Sequence, residues 1–136
     1  MQIRWAEEKD LAILRTYDQH IRADELENRV RQGGVLIAEE QGRFVGWLRY
    51  NLFWDNTPFM NMLYLLEPER GKGTGRALVA FWEEQMKKQG YRAVMTSSQA
   101  DEYAQHFYQH IGYRAIGGFL LPGEAYELIF WKSLEA

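Results

Sequence analysis

Near the middle of the chain, Arg70-Gly71-Lys72-Gly73-Thr74-Gly75 places three glycines at alternate positions after the apolar segment Phe59–Leu66. Because glycine has no Cβ, this backbone can turn its N–H groups inward and approach a ligand closely. A helix starting near Gly75 adds unsatisfied N–H groups and the positive end of its dipole. Arg76 adds further positive charge. The pattern predicts a strand–loop–helix unit whose loop binds an anion, best a phosphate or pyrophosphate.

The loop matches neither of the common nucleotide-binding motifs. A Walker A loop requires G-x-x-x-x-G-K-[S/T], whereas Lys72 precedes the last glycines of this loop. A dinucleotide-binding fingerprint requires G-x-G-x-x-G in the first strand–helix unit, whereas these glycines alternate and lie in the middle of the chain. A nucleotide-binding protein is therefore only a third interpretation.

The remaining hydrophobic periodicities predict one mixed domain over residues 1–136. The apolar Phe59–Leu66 is typical of a strand buried on both faces. The Phe44–Tyr50 strand can run on to Trp54, and the element order is β-α-α-β-β-β-α-β-α-β-β. In chain order the predicted elements are a strand at Met1–Trp5, helices at Lys9–Ile21 and Asp24–Gln32, strands at Val35–Glu39, Phe44–Tyr50 and Phe59–Leu66, a helix from the glycine loop to Gly90, a strand at Tyr91–Ser97, a helix at Asp101–Ile111, and strands at Tyr113–Leu120 and Tyr126–Trp131.

Composition argues against several classes of protein. Sixteen Lys and Arg against 19 Asp and Glu give a net charge of −3, which does not suit a nucleic-acid-binding protein. No cysteine is present, so disulfides, thiolate zinc sites and a thioester on the enzyme are excluded. The longest uncharged stretches have 11 residues, against about 20 for a membrane span. No signal peptide is recognisable, so we expect a soluble cytoplasmic protein. His106 and His110 should point to solvent, and no metal site is expected.

Three stretches resemble the GCN5-related N-acetyltransferases, the GNAT family. Arg70-x-x-Gly73-x-Gly75 matches the family motif R/Q-x-x-G-x-G/A. Ala104-x-x-Phe107-Tyr108-x-x-x-Gly112-Tyr113 is similar to its second motif, A-x-x-x-Y-x-x-x-G-F. Ile3-Arg4-x-Ala6, followed by Asp10-Leu11, resembles its opening strand and helix. The resemblance runs the length of the chain and implies an α/β (α+β) fold with a mixed, mostly antiparallel central sheet and helices on both faces.

The same resemblance implies that acetyl-CoA is the cofactor. In the family, the glycine loop binds the pyrophosphate through backbone amides, and the preceding strand pairs with the pantetheine arm. This chain departs from the family at Asp101, where an asparagine is usual, and at Glu67-Pro68-Glu69-Arg70, which is one residue shorter after the proline. The residues implied to bind the cofactor are Leu65, Leu66, Arg70, Gly71, Lys72, Gly73, Thr74, Gly75, Arg76, Asp101 and Tyr108.

Tyr108 aligns with the tyrosine often assigned as the general acid that protonates the departing thiolate. Its helical position faces the sheet, where a core tyrosine with a satisfied hydroxyl would also lie. A phenol of pKa ~10 is a weak acid beside a thiol of pKa ~8.5, so its contribution should not exceed the usual ~10²–10⁴-fold. For the general base, Glu67 is the best candidate and Asp55 the next, although each can equally be a solvated loop carboxylate.

We expect an acceptor pocket lined by aromatic residues. Phe53, Trp54, Asp55 and Phe59 lie in or beside the loop expected near the acceptor. The predicted function is transfer of an acetyl group from acetyl-CoA to a primary amine of a small molecule or peptide, by direct attack in a ternary complex. The alternative is a non-catalytic acyl-CoA-binding sensor or regulatory module. No nucleic-acid or membrane partner is expected, and a homodimer is an option because dimers are common in the family.

Overall fold

The computed structural model describes residues 1–135, which form seven strands and four α-helices. Short 3₁₀ turns at Glu8–Asp10 and Glu67–Glu69 precede α1 and the glycine loop. The strands are β1 (Gln2–Trp5), β2 (Val35–Glu40), β3 (Arg43–Phe53), β4 (Thr57–Leu65), β5 (Ala93–Gln99), β6 (Arg114–Phe119) and β7 (Glu127–Ser133). The helices are α1 (Leu11–Tyr17), α2 (Ala23–Arg31), α3 (Thr74–Lys88) and α4 (Ala104–His110).

The strands form a mixed sheet in the order β1-β2-β3-β4-β5-β7-β6. β4 and β5 pair in parallel, whereas the β1–β2, β2–β3, β5–β7 and β6–β7 pairs are antiparallel. The predicted α/β class with a mostly antiparallel sheet is therefore confirmed. No helix among residues 1–135 is long and apolar enough to cross a membrane.

The chain divides into two compact units that alternate along the sequence. The first unit comprises residues 1–51 and 62–81, and the second comprises residues 52–61 and those from 82 onward. The glycine loop belongs to the first unit and α4 to the second. A single domain over the whole chain stays a prediction.

In the first unit, a buried Asp18 ends α1 earlier than its periodicity predicts. The expected helix Lys9–Ile21 is instead the short 3₁₀ turn followed by α1. The Asp18 carboxylate, whose side chain is 0% exposed, accepts hydrogen bonds from Arg49 Nε at 2.8 Å and Trp47 Nε1 at 3.1 Å. These bonds hold Asp18 in an extended conformation, so the helix cannot continue. The core around them comprises Ala6, Leu11, Leu14, Leu26, Val30, Val35, Ile37, Phe44 and Trp47.

β3 confirms one expectation and β4 corrects another. β3 does run past Tyr50, and the chain then reverses at Trp54 and Asp55, both with positive φ (51° and 63°). The prediction that Phe59–Leu66 is buried on both faces is wrong, because Tyr64 is 41% exposed. The prediction counted Tyr64 as apolar, but a tyrosine has a polar hydroxyl and its ring can lie at a surface.

The second unit is built on the β5–β7–β6 ladder. Thr96 pairs with Phe130 and Ser98 with Leu128 across β5 and β7. The predicted helix at Asp101–Ile111 begins only at Ala104, because the residues before it form turns. All six residues of β6 are exposed.

Candidate functional site

In the first unit, the glycine loop has the backbone conformation that its sequence predicts. Gly71 and Gly73 have φ of +79° and +82°, a region that side chains other than glycine rarely adopt. A Cβ built on either residue would meet no atom within 4 Å, so space remains for a ligand beside the backbone. α3 begins at Thr74, immediately after Gly73. Left-handed residues alternating in front of a helix N-terminus form a concavity of N–H groups suited to an anion.

Glu69, which the sequence analysis did not single out, anchors the start of this loop. Its side chain is 8% exposed, and its Oε1 lies 2.9 Å from Arg43 Nη1. Oε2 lies 3.4 Å from Lys72 Nζ. The hydrogen bond from Arg43 and, to a lesser extent, the charge of Lys72 hold the pKa of the Glu69 carboxyl below its usual range. The sequence could have indicated the contact with Lys72, which lies three residues after Glu69. It could not indicate the contact with Arg43, which lies 26 positions away.

A cleft of about 510 Å³ lies beside this anchor. It mixes acidic and basic groups with the backbone at the start of α3. Its lining consists of Met1, Glu40, Arg43, Glu69, Lys72, Gly73, Thr74 and Ala77.

Arg70 turns back toward β4. Its guanidinium lies 5.0 Å from the centre of the Tyr64 ring, and its Nε donates to the carbonyl oxygen of Leu65 at 3.1 Å. The Leu66 N–H donates to the Val45 carbonyl at 2.9 Å. The Leu66 N–H therefore already has a partner, whereas the Leu65 carbonyl oxygen has a second lone pair and can still accept a hydrogen bond from a ligand. Their predicted role at the cofactor stays a prediction.

In the second unit, Tyr108 lies on the inward face of α4 and is 7% exposed. Its ring packs against Tyr113 and Phe130, with centroid distances of 5.8 and 5.9 Å. Burial raises the pKa of Tyr108 to about 12, opposed in part by the Thr96 hydroxyl. The phenol therefore keeps its proton at neutral pH. His106 and His110, on the same helix, are exposed.

A partly buried hydrogen-bond network fixes the end of α4. The Tyr113 hydroxyl donates to Glu83 Oε2 at 2.8 Å, and Lys132 Nζ donates to Glu83 Oε1 at 2.9 Å. Lys132 Nζ also donates to the Ile111 carbonyl at 2.9 Å. Burial and, to a lesser extent, the charge of Glu83 raise the pKa of Tyr113 far above its usual value. The motif analysis identified Tyr113 but neither Glu83, which lies 30 positions before it, nor Lys132, which lies 49 positions after Glu83.

The other predicted site residues are mostly exposed. Asp101 lies in the turn before α4 and does not cap it, since Tyr103 occupies the N-cap position.

Phe53 stacks on Trp54 and Phe59 at centroid distances of 4.8 and 5.9 Å, and Trp54 is 81% exposed. The structure thus brings these three predicted acceptor-binding aromatics together. Asp55, in the second unit, and Glu67, in the first, are exposed.

Known structures share this fold. The chain matches Ard1 from Thermoplasma volcanium with a TM-score of 0.85 and 15% identity, covering 99% of this chain and 98% of that one. It matches a ribosomal-protein-alanine N-acetyltransferase from Brucella melitensis with a TM-score of 0.80 and 25% identity, covering 98% and 99%. It matches an aminoglycoside 6′-N-acetyltransferase complexed with coenzyme A with a TM-score of 0.83 and 15% identity, covering 100% of this chain and 98% of that one. No curated protein matches.

The model of the Acetyltransferase (GNAT) family matches residues 2–113, which is most of the chain. The chain belongs to the GNAT family, and the predicted resemblance is confirmed.

Proposed function

We propose that this protein is an N-acetyltransferase, a single GNAT-type domain that transfers an acetyl group from acetyl-CoA to a primary amine of a small molecule or peptide. The observation that carries the proposal is the pair of left-handed glycines, Gly71 and Gly73, directly before α3. Membership in the GNAT family and the structural likeness to an acetyltransferase complexed with coenzyme A support it.

The loop fits the diphosphate of coenzyme A. Gly71 and Gly73 leave open space where side chains would stand, and the first N–H groups of α3 follow at once. Lys72 and Arg76 are exposed cations in the same stretch. On this proposal Lys72 exchanges part of its contact with Glu69 for a phosphate. Leu65, Leu66, Arg70, Gly71, Lys72, Gly73, Thr74, Gly75, Arg76, Asp101 and Tyr108 remain the proposed cofactor-binding residues.

Tyr108 is the proposed general acid. Bound acetyl-CoA supplies an activated acyl group on a thiol leaving group. Tyr108 is protonated at neutral pH, as a phenol of ordinary pKa about 10 would be, and burial raises its pKa further, to about 12. It donates this proton as negative charge develops on the departing sulfur. Because a thiol of pKa ~8.5 is the stronger acid, the donation is uphill and its catalytic contribution is small.

The acceptor amine must lose its proton before it can attack, since an ammonium has no lone pair. Glu67 is the proposed base and Asp55 the second candidate. Both side chains are exposed, so either can pass the proton to solvent. The stacked rings of Phe53, Trp54 and Phe59 offer an apolar wall for the acceptor. The proposed attack is direct, and the absence of cysteine excludes a thioester on the enzyme as an intermediate.

The test is release of free thiol from acetyl-CoA in the presence of polyamines, aminoglycosides, amino acids and peptide N-termini. Turnover with one class of amine identifies the acceptor. Binding of CoA without turnover with any amine favours the sensor module instead. Absence of CoA binding, measured by calorimetry, contradicts both. Glu67→Gln should lower turnover with little change in the Kd for CoA.

A further inference from the structure

Ser98 on β5 carries a buried hydroxyl that the protein itself does not satisfy. The residue is 5% exposed, and its Oγ has no hydrogen-bond partner within the part of the chain that the structure describes. Native proteins rarely leave such a group unpaired, because burial removes the hydrogen bonds that water would make. Thr96, two residues earlier, is buried as well, but its Oγ1 donates to the Met60 carbonyl at 2.9 Å. Of these two buried hydroxyls on β5, that of Thr96 is satisfied within the described chain and that of Ser98 is not.

The register of β5 places Ser98 on the face of the strand that α4 covers. Side chains alternate along a strand, so Ser98 and Thr96 share a face and are roughly 7 Å apart along it. Thr96 pairs with Phe130, whose ring packs against Tyr108 with centroids 5.9 Å apart. The unsatisfied hydroxyl therefore lies on the Tyr108 side of the sheet, one strand repeat beyond Thr96.

We infer that the Ser98 hydroxyl hydrogen-bonds a neutral carbonyl or amide group of the acyl-thioester arm of acyl-CoA. The inference rests on the proposed function, in which Tyr108 protonates the sulfur at the end of that arm. A neutral hydroxyl among buried side chains suits a neutral partner, because a charged partner would need a counter-ion in the same place. Ser98 is thus an additional cofactor-binding residue, which no motif of the sequence marks.

Binding measurements on Ser98→Ala test the inference, with Ser97→Ala as the matched control. Ser97 is the neighbouring hydroxyl on the opposite face of β5 and is half-buried. Three probes are titrated by calorimetry: acetyl-CoA, CoA, and 3′-phospho-ADP, which keeps the diphosphate but lacks the arm. We expect Ser98→Ala to raise the Kd for CoA or acetyl-CoA by about 2- to 10-fold, the range of one net hydrogen bond. The Kd for 3′-phospho-ADP should not change, and Ser97→Ala should bind all three probes like the wild type.

The stability of the free protein gives a second, opposite prediction. Because alanine removes an unpaired polar group, Ser98→Ala should melt at the same temperature as the wild type or higher in the absence of ligand. The shift in Tm produced by CoA should nevertheless be smaller in the variant.

Three outcomes would overturn the inference. Equal affinity of wild type and Ser98→Ala for CoA and acetyl-CoA would show that a buried water alone satisfies the hydroxyl. An equal loss for 3′-phospho-ADP would show a general structural effect. If the wild type binds none of the probes, the proposed function itself fails and the inference fails with it. Binding of CoA without turnover leaves the inference intact, because it concerns binding and not chemistry.

Discussion

The carboxylate of Glu69 accepts a hydrogen bond from Arg43, with Oε1 2.9 Å from Nη1, and so ties the turn before the glycine loop to the first residue of β3. Its other oxygen contacts Lys72 within the loop. One buried carboxylate therefore connects β3 to the segment that we propose binds a diphosphate.

Glu69→Gln should weaken CoA binding by several-fold and leave kcat at saturating acetyl-CoA unchanged. The variant keeps the shape of the side chain but loses the charge that pairs with Arg43 and Lys72. Calorimetry with CoA measures the effect. Glu40→Gln, in the same cleft, is the control and should bind CoA normally. A Kd equal to that of the wild type would show that the anchor does not order the loop.

The lowered pKa of Glu69 sets the direction of its pH dependence. Its contribution to stability is present above the ordinary glutamate pKa of about 4.3 and is lost as the pH falls through the lower pKa of the folded state. The free energy of unfolding, measured by urea unfolding at a series of acid pH values, should therefore fall more steeply for the wild type than for Glu69→Gln. Parallel curves would contradict this assignment.

Gly73→Ala should destabilise the loop by about 1–2 kcal/mol, because an alanine at this positive φ is strained even where space is open. The Kd for CoA should rise in consequence. Gly90→Ala is the matched control, since Gly90 also has positive φ (95°) with no atom near its Cβ position. It should lose stability to a similar extent and keep its CoA affinity. Equal CoA affinity of both variants would argue against the loop as the diphosphate site.

Asp18→Ala should destabilise the protein by about 3–5 kcal/mol, because it leaves the buried Arg49 guanidinium without a counter-ion. Urea unfolding followed by tryptophan fluorescence measures the change, and Trp47 itself lies in the network. Asp24→Ala removes the exposed partner of Arg22 and a carboxylate in the first turn of α2, and it should cost far less stability than Asp18→Ala. A small loss in Asp18→Ala would mean that water replaces the carboxylate.

Tyr108→Phe should lower kcat by about 10- to 100-fold, at or below the lower end of the ~10²–10⁴-fold range for general acid–base catalysis, and leave the Kd for CoA nearly unchanged. Its high pKa also makes folding sensitive to alkali: stability is full below the ordinary tyrosine pKa of about 10 and falls as the pH rises toward 12. The variant should therefore lose less stability than wild type between pH 10 and 12. Tyr103→Phe, at an 84% exposed position, should change neither quantity.

The candidate site was predictable where its residues are neighbours in sequence. Gly71 and Gly73 needed only their own backbone freedom, and the inward position of Tyr108 followed from helical spacing. Glu69 was missed because its partner Arg43 lies 26 positions away. Ser98 was missed because nothing in a sequence shows that a hydroxyl lacks a partner.

The sequence by itself determined the order of the elements, the glycine turn before α3 and the family, since each depends on local periodicity or on a short motif. Only the tertiary structure decided where α1 ends, which carboxylates are buried and which hydroxyl is unsatisfied. Asp18 stops α1 because Arg49, 31 positions later, binds it in the core. Burial and pairing of this kind depend on residues that meet only when the chain folds, so no local pattern encodes them.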